Sequence, residues 1–212
     1  MRRPVHSVPR PRRRLLSCVL AAALLVPGLA GAVPLELNEL EYFHKRGLDV
    51  LAFNNYYDGL FSDAKHAGVE LIHHGVRTAT NGDVRLSPTP EQWDPVALMV
   101  DRKVDRRTGT VTTRLGYADH GFEYDIRVAP AGEGVRIQVV LDRPLPRSLQ
   151  GKAGFNLEFL PSAYWGKSWV TDTGSGQLPL YPYGPTTRGG DGKPVRMPMA
   201  TGRSLTLAPE DP

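Results

Sequence analysis

The sequence predicts an all-β protein, an antiparallel β-sandwich of about eight to ten short strands with a Gly/Pro-rich loop region near the C-terminus. Three observations carry that expectation. Most segments after residue 48 alternate apolar and polar residues with a period of two, the pattern of half-buried strands. Glycine, asparagine, aspartate and proline bound them at short, regular intervals. No stretch shows a sustained helical face longer than two turns.

Taken in order, residues 36–45 have leucines at 37 and 40 but neither a cap nor a continuing face, so they read as loop or a short helix. Residues 48–53 and 69–78 read as strands, and Asn81, Gly82 and Asp83 form a turn signal leading into 84–86. A strand at 98–104 returns through Arg107, Thr108 and Gly109 to the alternating Val111, Thr113, Leu115 and Tyr117. The clearest pair follows, with Phe122, Tyr124, Ile126 and Val128 joined to Val135, Ile137, Val139 and Leu141 by a glycine-bearing loop at 130–134. Together these make a four-stranded meander. Phe155, Leu157 and Phe159 alternate next, and 168–172 and 204–207 are short candidates. Residues 174–199 contain six glycines and five prolines with little alternation, which reads as a long loop.

The 212 residues include a single cysteine, Cys18, which excludes a disulfide framework or a thiolate zinc cluster. The formal charge of +4 and pI near 9.3 suggest a polyanion ligand until the charges are located. Residues 1–32 hold six of the 26 basic residues and no acid, so the remainder carries 20 basic and 22 acidic groups, a formal charge of −2. The basicity belongs to an export signal, and no nucleic-acid partner is expected. Arg2 to Arg14 form the n-region, residues 15–25 an apolar run too short to span a bilayer, and Ala30-Gly31-Ala32 the cleavage site. Residues 1–32 are therefore expected to be a signal peptide, and 33–212 an exported domain, periplasmic or extracellular, without stable membrane insertion.

Candidate chemistry is sparse. His73 and His74 are adjacent, which in a strand sends them to opposite faces. His44, His66 and His120 have no metal-ligand spacing, so neither a metal nor a cofactor is expected. Asp119-His120 reads as a solvated loop pair. There is no GxSxG, and Gly174-Ser175-Gly176 lacks the strand and helix of a nucleophile elbow. Glycoside hydrolysis needs only two carboxylates about 5–10 Å apart, and Glu39, Glu41, Glu123, Asp125 and Glu158 are available. Glu158, between Phe155 and Phe159 and sharing a face with Asn156, is the one in the most interesting setting, although an outward polar edge or a buried structural hydrogen bond also explains the pair. Phe155, Phe159, Tyr164, Trp165, Trp169, Tyr181 and Tyr183 fall within 29 residues. Such rings stack on sugars or on a protein surface, or simply fill a core. Tyr164, Trp165, Trp169 and Glu158 are the candidate substrate-binding residues, and no catalytic residue is assigned.

The segments Leu37-Asn38-Glu39-Leu40-Glu41-Tyr42-Phe43, Gly47 to Phe53 and His73 to Leu86 resemble the N-terminal β-domain of secreted bacterial glycoside hydrolase family 9 (cellulase-like) proteins. Gly151 to Pro161, Tyr164 to Trp169 and Pro198 to Glu210 fit the same pattern. The resemblance implies a β-domain that accompanies an (α/α)6 catalytic barrel. No such barrel is encoded before Pro212, so the family's catalytic residues have no positions here and a product truncated at its C-terminal end is expected. The expected function is a secreted, non-catalytic module of a carbohydrate-active protein, supporting glycan binding or packing on a catalytic domain. Its expected partner is a polysaccharide or a catalytic glycoside hydrolase domain. Two alternatives are a small glycosidase using Glu158 with a second carboxylate, and a structural or partner-binding envelope protein.

Overall fold

The computed structural model describes residues 33–54, 68–86, 96–180, 190–191 and 199–211. Residues 1–32, expected as a signal peptide, and His66, Tyr181, Tyr183 and most of the Gly/Pro-rich stretch lie outside them. Residues 32–212 group into one compact unit. Its described part is all-β, with thirteen strands in three antiparallel sheets, two of which pack face to face as a sandwich.

The first sheet has the order β1-β2-β3-β4-β5-β10, formed by Glu36–Leu37, Phe43–Lys45, Leu48–Ala52, Val69–His73, Val76–Leu86 and Ala153–Phe159. The second is the expected meander β6-β7-β8-β9, from Leu98–Asp105, Thr110–Tyr117, Phe122–Ala131 and Gly134–Val140. Period two governs the meander. Val111, Thr113, Leu115 and Tyr117 on β7, and Phe122, Tyr124, Ile126 and Val128 on β8, are buried, and Thr112, Arg114, Glu123 and Arg127 between them are not. Across the sandwich these side chains meet Phe43, Val50, Ala52, Val69 and Val84 of the first sheet. A small third sheet, β12-β11-β13, comprises Ser175–Gln177, Ser168–Thr171 and Leu205–Leu207. The one-turn helix α1, Pro161–Tyr164, leads into it.

Polar groups tie the two main sheets together. Tyr117 donates its hydroxyl to the Val84 carbonyl at 2.8 Å, and Tyr124 donates to Asp83 Oδ1 at 2.7 Å. Arg102, reaching inward from β6, bonds the Ala52 carbonyl at 3.0 Å and Glu41 Oε2 at 2.5 Å. Glu41 sits at φ 63° in the turn between β1 and β2, and Arg106 caps the same turn through the Asn38 and Glu39 carbonyls. On the outer face of the second sheet, Arg114 pairs with Glu123 at 3.1 Å, Asp125 at 3.2 Å and Asp142. The hydrogen bond from Arg114 holds the Asp142 carboxyl below the usual carboxylate range.

Four local expectations need correction. Residues 36–45 form two short strands and no helix, because the left-handed turn at Glu41 folds them into a hairpin. The single strand expected at 69–78 is a hairpin, broken at His74 (φ 49°) and Gly75 (φ 79°). Asn81-Gly82-Asp83 is no turn but an irregular stretch inside β5, where the register against β4 and β10 shifts. Gly82 is required there, since a Cβ would stand 2.6 Å from that of Val69. Finally, Ser175–Gln177, expected as loop, pairs with β11.

Candidate functional site

Four of the seven late aromatic residues converge on an open groove of about 670 Å³ at the third sheet, while Phe155 lies outside its lining. Its lining is Phe159, Pro161, Tyr164, Trp165, Trp169, Leu178, Pro179, Met199, Ala200, Leu205 and Leu207, with no charged side chain among them. Each segment delivers its part for a local reason. Phe159 ends β10, and Pro161 starts α1 at the position where its missing N–H costs nothing. The helix lasts one turn, after which Trp165 leaves the helical conformation with 54% of its surface exposed. Phe159 and Tyr164 meet edge to face at 5.7 Å and 86°. Trp169 lies on β11 opposite Gly176 and Leu207, and a Cβ on Gly176 would stand 2.7 Å from the indole ring.

Polar contacts around the groove organise backbone and do not enter its lining. Gln177 Nε2 donates to the Gly166 carbonyl at 2.6 Å, and the Ser168 N–H donates to Glu210 Oε1 at 2.8 Å. That backbone hydrogen bond lowers the Glu210 carboxyl. Lys167 pairs with Asp211, while Asp172 Oδ1 accepts from the Arg203 N–H at 2.7 Å and so anchors the chain entering β13. The groove is therefore a largely apolar surface whose lining side chains carry polar atoms only on Tyr164, Trp165 and Trp169.

Of the four candidate binding residues, Tyr164, Trp165 and Trp169 come together in this groove. Glu158 does not line it; its Oε2 accepts from Asn81 Nδ2 at 2.8 Å, on the register shift between β5 and β10. Asn81 has φ 53°, so its unusual backbone and its bond to Glu158 occur at the same irregularity. Asn156 Nδ2, nearby on β10, is buried without a partner. Sequence reasoning missed Pro161, Leu178, Pro179, Met199, Ala200, Leu205 and Leu207 as lining. Only the same-face spacing of Leu205 and Leu207 could have hinted at them.

The buried carboxylates Glu70 and Asp83 are also engaged. Glu70, fully buried on β4, holds Arg77 Nε at 2.9 Å and accepts from the Thr80 hydroxyl at 2.9 Å. Asp83 serves Tyr124 and the Val84 N–H. His73 and His74 do not diverge as adjacent strand residues would. The turn after His73 brings their rings to 4.3 Å, edge to face. His44 Nδ1 lies 2.5 Å from Asp49 Oδ1 on neighbouring strands. Among the described residues no three histidine, cysteine or acidic side chains converge as a metal would require, and no helix is long and apolar enough to cross a membrane. No family model matches the chain, and no curated protein or solved structure matches it either.

Proposed function

We propose that this chain is an exported, non-catalytic β-sandwich module of a carbohydrate-active glycoside hydrolase protein, and that the groove at the third sheet is the face that packs on the catalytic domain. The observation that carries this reading is the groove's lining: four aromatic rings and seven other side chains, none charged. Such a surface gains by leaving water against another apolar surface, and it has few groups to hydrogen-bond the hydroxyls of a sugar. The engagement of Glu70, Asp83 and Glu158 in hydrogen bonds with their own neighbours supports a non-catalytic role. The family resemblance supplies the nature of the partner.

The test is to add a purified family 9 catalytic barrel from the same genome to the chain. Complex formation should shift tryptophan emission to shorter wavelength, and Trp165→Asp should abolish both shift and co-elution. A second reading, glycan stacking, is favoured by the exposure of Trp165 alone. Retention on insoluble β-glucan that Trp165→Ala removes, with no binding to any barrel, would replace the first reading with the second. Reducing sugar released by the isolated chain and lost in Glu158→Gln would overturn both.

A further inference from the structure

The second sheet ends in two edge strands, β6 and β9, and only one of them is defended. An open edge presents unpaired N–H and C=O groups, which soluble proteins blunt with bulges, inward charges or lysines. β6 has all three: its register shifts between Met99 and Asp101, Arg102 points inward, and Lys103 pairs with Asp101 at 2.7 Å. β9 has none of them. Its register against β8 runs unbroken from Gly134 to Val140, its inward residues are Val135, Ile137 and Val139, and its only charge is the outward Arg136. No backbone hydrogen bond reaches its open edge from any described residue. The inner face is also incompletely covered there, with Val139 39% and Leu141 42% exposed.

We propose that β9 is a self-pairing edge, through which two copies of this chain join antiparallel about a two-fold axis at Ile137 to make one continuous sheet. The hairpin closes on the pair Ala131–Gly134, and hydrogen-bonded and non-bonded pairs alternate from there. That alternation leaves the N–H and C=O groups of Val135, Ile137 and Val139 pointing away from β8. An axis at Ile137 sets Ile137 opposite its own copy and Val135 opposite Val139, so every outward-pointing backbone group finds a complement. The side chains agree with this register. Apolar residues face apolar residues on the inner side, and on the outer side each Arg136 faces Gln138 and never another arginine. The second copy thus extends the apolar row over the exposed Val139. This surface is separate from the groove at the third sheet and does not depend on its function.

Sedimentation equilibrium of the purified protein should give a concentration-dependent monomer–dimer equilibrium. Ile137→Pro should render it monomeric, because proline removes an outward N–H at the axis without breaking the β8–β9 ladder. Gln138→Glu places a carboxylate opposite Arg136 of the partner subunit, and Gln138→Arg a like charge. Each pair occurs twice by symmetry, so the dissociation constant should fall about tenfold in the first variant and rise about tenfold in the second. Both changes lie on the outer face, so their far-UV spectra should match the parent, and they decide the matter even if Ile137→Pro fails to fold. Trp165→Ala should leave the dimer intact. A protein monomeric at every soluble concentration overturns the proposal, as does a dimer indifferent to both Gln138 substitutions.

Discussion

Tyr117, Phe122 and Tyr124 stack with ring centroids 5.1–6.3 Å apart and are buried, whereas Phe159, Tyr164, Trp165 and Trp169 line an open groove. The first group comes from strands β7 and β8, the second from the end of β10, the helix α1 and its cap, and β11. They differ in what lies opposite. The first group faces another sheet, which offers the Asp83 carboxylate and the Val84 carbonyl to its two hydroxyls. The second lines a groove beside the three-stranded sheet, to which Trp169 belongs, and no further layer covers it among the described residues. An aromatic cluster is thus a covered core or the lining of an open groove according to whether a second layer supplies both apolar cover and hydrogen-bond acceptors.

The sharpest way to break this comparison is to empty one site in each cluster. Tyr124→Ala removes a fully buried ring and leaves Asp83 without its phenol donor, and it should cost about 3–5 kcal/mol in urea denaturation. A loss below about 1 kcal/mol would mean that the cross-sheet contact is not part of the core energetics. A pH titration probes the same pair more gently. Burial first, then the charge of Asp83 and its hydrogen bond, raise the Tyr124 phenol far above its usual range. The folded chain therefore keeps this proton above pH about 10 while the unfolded chain releases it. The resulting stability is fully present below that pH and declines above it, and Tyr124→Phe should blunt the decline. An alkaline profile identical in the two proteins would place the sensitivity elsewhere. Smallest of all, Trp165→Ala should change stability by no more than about 0.5 kcal/mol, since its ring already meets solvent. Unfolding of this variant would make the groove an extension of the core.

Reading the sequence located the meander almost residue by residue, because on β7 and β8 one face meets the core and the other meets water. It failed where chain geometry departs from simple alternation. Glu41 turns the chain left-handed with no glycine to signal it, so a hairpin resembled loop or a short helix, whereas Asn81-Gly82, a turn signal in sequence, only distorts a strand that continues. The candidate site was half legible. Tyr164, Trp165 and Trp169 stood out as a cluster, but Glu158 was grouped with them by proximity in sequence and is held instead by Asn81.

Period-two patterning and turn residues by themselves determined the fold class and most strand positions, since these depend on contacts between near neighbours and on each strand having a wet and a dry face. Whether an aromatic ring is covered depends on strands far away in the chain. Only the tertiary structure decided that Tyr124 lies under Asp83, 41 residues distant, while Trp169 lies between Gly176 and Leu207 at the floor of an open groove. The same holds for the edges of the second sheet. β6 and β9 both read as alternating strands, and their difference rests on a register shift and an inward arginine that appear only when the sheets are assembled.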